Sequence, residues 1–344
     1  MNESLRIILF ITLLCLTLLL FIIDILAGPV AIPVHDILQT IFTGESANPV
    51  WKTIVIGFRL PKALTAILAG MALSVSGLQM QTIFRNPLAG PYVLGISSGA
   101  SLGVALVILG FPVLFAQGNI NPLSIWVQIM ASWIGSALVL LLIMTVSLRV
   151  RDIMTILILG VLFGSATSAV VSILQYFSHQ TQLKAFVVWS MGNLGNVTKG
   201  QLAVMSVTTI AGLVISFFSG KMLNVLQLGE SYARSMGMNI TFSRMVVFIS
   251  TSILAGTVTA FCGPVGFIGI AVPHITRALF KSADHRLLIP AVILTGAMIM
   301  LLSDILTQLP GSDSTLPVNS VTALIGIPIV IWVIFRNKKI TPVG

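Results

Sequence analysis

The chain has 344 residues, of which 56% are hydrophobic and 8% charged, with a mean hydropathy of +1.07 and a formal net charge of +9. A soluble domain carries about 25% charged residues, and no soluble fold of this length could hide so much apolar surface, so the composition excludes a soluble enzyme and points to a polytopic membrane protein. The basic excess does not call for nucleic acid; loops held on the cytoplasmic side of a membrane explain it.

The apolar runs are too long for barrel strands, and in lipid every backbone polar group needs an internal partner. The predicted fold is therefore all-α, with about ten transmembrane helices near residues 7–27, 62–84, 91–110, 124–148, 153–177, 201–219, 244–261, 263–280, 287–307 and 317–335. Ile7 to Ile23 exceeds the roughly 7–15 residues of a signal-peptide core, which predicts a retained first span. Residues 28–58 then read as the longest outer loop, with a short surface helix near Ile32 to Phe42. His35 in this loop and His179 beyond the fifth span read as solvated rather than ligating. Cys15 and Cys262 fall in apolar runs, and neither implies a disulfide or a metal site.

The second span opens on Arg59-Leu60-Pro61-Lys62, with Pro61 suited to a first helical turn. It runs uncharged from Ala63 to Phe84 and stops at Arg85. Asn86-Pro87 breaks the helix, and Pro91, Gly95 and Gly99 punctuate the start of the third span. In the fifth span Gly160, Gly164, Ser168 and Ser172 recur every four residues, beside Thr167 and Gln175, and so share one helix face. That face serves either close packing through small residues or the wall of a passage. Residues 222–239 make a long link between the sixth and seventh spans. The eighth span is interrupted by Gly263, Pro264, Gly266, Gly269 and Pro273, a pattern tolerated only against protein or a water-filled cavity. His274 and Arg277 lie three apart on one face, expected to cap their helix and pair with Asp284. Asp24 and Asp304 fall near the outer ends of the first and ninth spans, within reach of the interface, and neither demands a proton-coupling role.

With the N-terminus in the cytoplasm, thirteen of the 18 Lys and Arg fall inside and five outside, Arg59 and Lys62 among the five. Omitting the eighth span reverses this balance, so the positive-inside rule predicts an even number of spans and two cytoplasmic termini. The broken junctions after the second and seventh spans predict a weak inverted repeat of spans 2–5 and 7–10.

The stretch Gln81, Asn86-Pro87-Leu88-Ala89, Pro91, Leu94-Gly95, Gly99-Ala100, preceded by Arg59-Leu60-Pro61-Lys62, resembles the permeases of ATP-driven importers for iron–siderophore complexes, haem and cobalamin, the FecCD-like type II importers. Residues 263–277, with Ile270 in place of the family leucine, and Asp284-His285-Arg286 extend the resemblance. So do Leu228-Gly229, Ala233 and Gly237, where Met236 replaces a second leucine. The resemblance covers most of residues 55–335 and implies a single permease domain over 1–344. Residues 222–239 would be its cytoplasmic coupling loop, in which Leu228, Gly229, Glu230, Ala233, Arg234 and Gly237 meet an ATPase. It implies that Arg59 and Lys62 meet a soluble substrate-binding protein, and that Gly160, Gly164, Thr167, Ser168 and Ser172 line the passage. Asn86, Pro87, Gly95, Gly99, Pro264, Gly266, Gly269, Pro273, His274 and Arg277 would be packing motifs. It further implies a homodimer, two ATPase subunits carrying ATP and Mg, no cofactor in this chain, and a bacterial cytoplasmic membrane. Gln308 stands where the family usually has a basic residue. No G-x-x-x-x-G-K-[ST] loop occurs in the sequence, and no nucleophile–base pair stands out, so the chain is expected not to be an enzyme. An iron chelate is the expected cargo and cobalamin the alternative. A secondary transporter coupled through Asp24, Asp304 or His274 is the contrasting class, and an intramembrane enzyme lacks a polar catalytic set in this sequence.

Overall fold

A computed structural model describes residues 2–44, 46, 48–110, 123–150, 152–308 and 315–338. Among these the regular secondary structure is helical, apart from an isolated bridge between Gln308 and Thr315. The helices are α1 (Glu3–Leu26), α2 (Val34–Thr43), α3 (Pro49–Ile83), α4 (Ile96–Gly110), α5 (Ile125–Arg149), α6 (Ile153–Phe177) and α7 (Gln180–Ser190), followed by α8 (Lys199–Phe218), α9 (Gly220–Leu228), α10 (Glu230–Ser235), α11 (Ile240–Cys262), α12 (Ile268–Phe280), α13 (His285–Thr307) and α14 (Val318–Lys338). Seven of them, α1, α3, α5, α6, α8, α11 and α13, are long and apolar enough to cross a membrane. The shorter apolar α4 and α12, with α14, complete the expected ten. At 1.5 Å per residue the 13-residue α12 reaches only about 20 Å, so extended chain from Gly263 onward feeds it. Arg151 and Lys339, both used in the charge count, lie outside the described residues.

The core is a sandwich of α3 between α11, α12 and α13. In α3 and α11 78% of the most apolar stretch is buried, against 17% in α1 and α6. The cause is side-chain size. Ala63, Ala66, Ala69 and Ala72 let neighbouring backbones approach α3, and a Cβ added at Gly77 would overlap the carbonyl of Gly269 in α12. Most hydroxyls here bond carbonyls of their own helix, and one buried amide joins three helices. Gln79 donates to Ser216 at 3.0 Å and Ser250 at 3.2 Å and accepts from Thr251 at 2.9 Å, joining α3, α8 and α11. By contrast α1 shows Leu14, Leu18, Leu19 and Ile22 outward, an aliphatic face suited to lipid.

Two expectations change. The short helix predicted in the outer loop is α2. The loop itself ends at Asn48, however, because α3 starts at Pro49 rather than beside Arg59. Pro61 is therefore interior to a continuous helix. It lacks an N–H and crowds the preceding turn, and the backbone answers with a π-helical stretch at Val55–Arg59, where Leu60 N–H bonds back to Val55.

Candidate functional site

The two broken junctions lock into each other. Arg85 takes a left-handed φ of +46°, and the Asn86 side chain accepts the Leu88 N–H at 2.9 Å, closing the turn that Pro87 begins. The turn ends at Gly95, φ +73°, which starts α4. Across from it lies the Gly263–Phe267 segment before α12. The Tyr92 hydroxyl donates to the Val265 carbonyl at 2.7 Å and accepts the Val265 N–H at 3.3 Å. Pro91 packs on Gly269, and Gly266 N–H bonds Asn319 of α14 at 2.8 Å. Gly99 packs on Gly135 of α5. Pro264 and Pro273 flank this contact, Pro273 buried within α12. His274 bonds the Pro87 carbonyl at 2.6 Å, and Arg277 donates to Gln81 at 2.6 Å. The expected pairing of His274 and Arg277 with Asp284 is thus corrected. Asp284 instead caps α13 through the Arg286 N–H at 3.0 Å and accepts from Asn224 at 2.6 Å, and these bonds, Asn224 foremost, hold its carboxyl below the usual carboxylate range. Asp152 caps α6 in the same manner, held low by the Thr155 hydroxyl and two backbone N–H groups.

On the opposite face, where α1 ends, Arg59 turns inward instead of standing on the surface. Its side chain is 8% exposed and its guanidinium donates to the carbonyls of Ile25 and Leu26, both at 3.1 Å, and to that of Val30. The first two are the last carbonyls of α1, and Val30 lies just beyond it. Pro29 has no N–H to offer Ile25, so Arg59 acts as the C-terminal cap of α1. Gly28 makes room for it: a Cβ there would come within 2.7 Å of the guanidinium. Lys62 pairs with Asp304 at 3.0 Å. Asp24 and Asp304 do not reach the surface, being 3% and 1% exposed. Gln308 donates to Asp24 at 3.1 Å, so the departure from the family's basic residue serves an internal contact. Arg59 and Lys62 therefore bind α1, α3 and α13 together, Arg59 buried and the Lys62 side chain 20% exposed.

The link after α8 folds as α9 and α10. Leu228, Arg234 and Gly237 are exposed, as are Tyr232 and Met236. Gly229 and Ala233 are buried, and Glu230 pairs with Arg244 of α11. Gly229 has φ +119°, and a Cβ there would strike the Arg85 guanidinium. So half of the predicted coupling residues hold the loop to the core and half face outward.

The α6 stripe also divides. Gly160 is buried against the Val93 carbonyl and Gly164 faces Ser98, so both serve packing. Thr167 bonds the Gly164 carbonyl at 2.9 Å and is half-buried. Ser168 and Ser172 are exposed, together with Ser165. The sequence reading missed α7, whose Lys184 and Trp189 border a cavity of about 440 Å³ on the face opposite the link. His35 and His179 are both exposed.

The model of the FecCD transport family matches residues 16–336. The hemin transport system permease protein HmuU of Yersinia pestis is 34% identical over 303 residues, 88% of each chain. The vitamin B12 import system permease protein BtuC of Escherichia coli O6:H1 is 35% identical over 302 residues, 88% of this chain and 89% of its own. Among solved structures, an inward-facing, putative metal-chelate type ABC transporter matches with a TM-score of 0.82 and 27% identity, over 95% of this chain and 98% of that one.

Proposed function

The chain belongs to the FecCD transport family, and from that premise we propose that it is the membrane-spanning subunit of an ATP-driven importer that carries an iron chelate, a siderophore complex or haem, across the bacterial cytoplasmic membrane. The face bearing Arg85, the link helices and His285 is then cytoplasmic. The observation that carries this reading is the link itself. Leu228, Tyr232 and Met236 stand exposed on two short helices whose other side is fastened through Ala233 and the Glu230–Arg244 pair. An apolar, rigidly held surface between two spans suits a cleft on a separate ATPase, which would bring the ATP and Mg. Cobalamin is the second reading, because the B12 permease is as similar to this chain as the haem permease.

A second copy of the chain is part of the proposal. Both α1 and α6 are mostly exposed, but α1 shows an aliphatic face and α6 shows Ser165, Ser168 and Ser172. The Ser165 and Ser172 hydroxyls bond carbonyls of their own helix, and small hydroxyl residues along a spanning face suit close approach of another helix. A soluble binding protein would meet the opposite face at its exposed cations, Lys52, Lys184 and Lys199, rather than at Arg59.

The test is uptake into proteoliposomes holding this chain with its ATPase and binding protein. Uptake of ferric siderophore or haem that requires ATP supports the proposal. Uptake of cobalamin alone selects the second reading. Uptake driven by a proton or sodium gradient without the ATPase overturns both.

A further inference from the structure

A cavity of about 570 Å³ opens on the link-bearing face, among the ends of α3, α9, α12 and α14. That volume lies within the range of about 300–1,000 Å³ typical of small-ligand sites. Its walls carry Arg85, Arg277, His274 and Gln227, and no carboxylate among the described residues lines it. Carboxylates nearby are engaged: Asp284 by Asn224 and the Arg286 N–H, Glu230 by Arg244. Arg277 gives one nitrogen to Gln81 and has further N–H donors left. The Arg85 guanidinium makes no hydrogen bond or ion pair among the described residues, although its backbone is held in the left-handed region and its side chain lies against Gly229. Two guanidinium groups lining one cavity with no counter-charge create a site for an anion, and arginine forks suit phosphate oxygens in particular. Trp332 of α14, half-exposed, also borders the cavity near the end of its span, the level at which tryptophan meets lipid headgroups.

We propose that this cavity binds a phosphate group, as carried by the headgroup of an acidic phospholipid. Basic pockets between spans on the cytoplasmic side are built for such headgroups. The bound phosphate would bridge Arg277, on the α12 wall, to Arg85, which touches the link at Gly229. It would thereby brace the link against the core. This inference does not depend on which cargo the importer carries.

The experiment uses the purified full chain in nanodiscs of phosphatidylcholine. Short-chain phosphatidylglycerol is titrated by calorimetry, with phosphatidylcholine of the same chain length as control and inorganic phosphate as competitor. Saturable binding of phosphatidylglycerol over phosphatidylcholine is expected, weakened about tenfold by Arg85→Gln, as removal of one charge-assisted contact implies. Arg277→Lys keeps the charge, loses the fork, and is expected to weaken it as well. Competition by millimolar phosphate would mark the free anion as a second source; its absence would assign the site to the lipid alone. Arg85 is exposed, so its replacement leaves the fold intact and decides the matter even if the Arg277 variant fails to fold. Equal binding of the two lipids with no binding of phosphate, or unchanged affinity in Arg85→Gln, overturns the proposal.

Discussion

Arg59→Ala separates a structural arginine from a docking one. The guanidinium serves three carbonyls, with one nitrogen shared between Ile25 and Leu26 at 3.1 Å and the other on Val30. Hydrogen bonds to a charged donor contribute about 1.5–3 kcal/mol each, and shared ones are not additive. Counting one strong interaction per nitrogen gives a loss of about 3–6 kcal/mol, at the upper end for a single substitution. Solvent does not replace the lost donor well, because the site is 8% exposed. Arg59→Lys should restore roughly half, since an ammonium cannot span both sets of carbonyls. The assay is reversible unfolding in mixed micelles against SDS mole fraction, alongside docking kinetics of the binding protein on the fraction that remains folded. We expect a large fall in the unfolding midpoint and a normal association rate for the folded protein. A wild-type midpoint combined with slowed docking would refute the capping argument and return Arg59 to the surface.

Three further outcomes can be checked. Gln79→Leu keeps volume but removes three hydrogen bonds; the Ser216 and Ser250 hydroxyls can still donate to the Gly212 carbonyl, or one of them to the other. The cost should be about 1–2 kcal/mol, and a double-mutant cycle with Thr251→Val should show coupling. Additive effects would dissolve the network. Asp284 has a folded-state pKa below its ordinary 3.8. Its capping contribution, about 1 kcal/mol, is thus fully present above that value and lost as pH falls through the lower folded-state value. The stability gap to Asp284→Ala should be flat near neutrality and close only in stronger acid; a gap that closes near pH 6 contradicts the assignment. Gly229→Val places a β-branched residue at φ +119° and a side chain on Arg85. In the assembled importer it should leave ATP hydrolysis running while transport falls at least tenfold, and normal transport at normal expression would exclude the link from coupling.

The ten spans were readable because lipid forbids unpaired backbone and so forces long apolar helices. The helix-breaking motifs were readable for a related reason: Asn86-Pro87 and Gly263-Pro264 have few backbone solutions. What remained hidden was distance. Nothing near Arg59 in the chain announces that its partners lie at Ile25, Leu26 and Val30, and its predicted place in an outer loop invited a surface reading. Asp24 and Asp304 looked interfacial because their depth depends on Lys62 and Gln308 closing over them. The four-residue spacing at Gly160, Gly164, Ser168 and Ser172 fixed a shared helix face correctly. It could not reveal that α4 and its leading turn cover only the first half. Helix α7 escaped notice since it lies between confident spans and is too short to carry a periodic signal.

The Tyr92 hydroxyl holds both the carbonyl and the N–H of Val265. Parting the two broken segments would strip a peptide unit of its partners where little water can replace them, at a cost of several kcal/mol. The corner joining α3 to α4 is therefore tied to the segment leading into α12, across 173 residues of sequence. Any rearrangement of the helices would have to carry this corner as a unit, whereas α6, with Ser168 and Ser172 uncovered, shares far less buried surface with the rest of the chain.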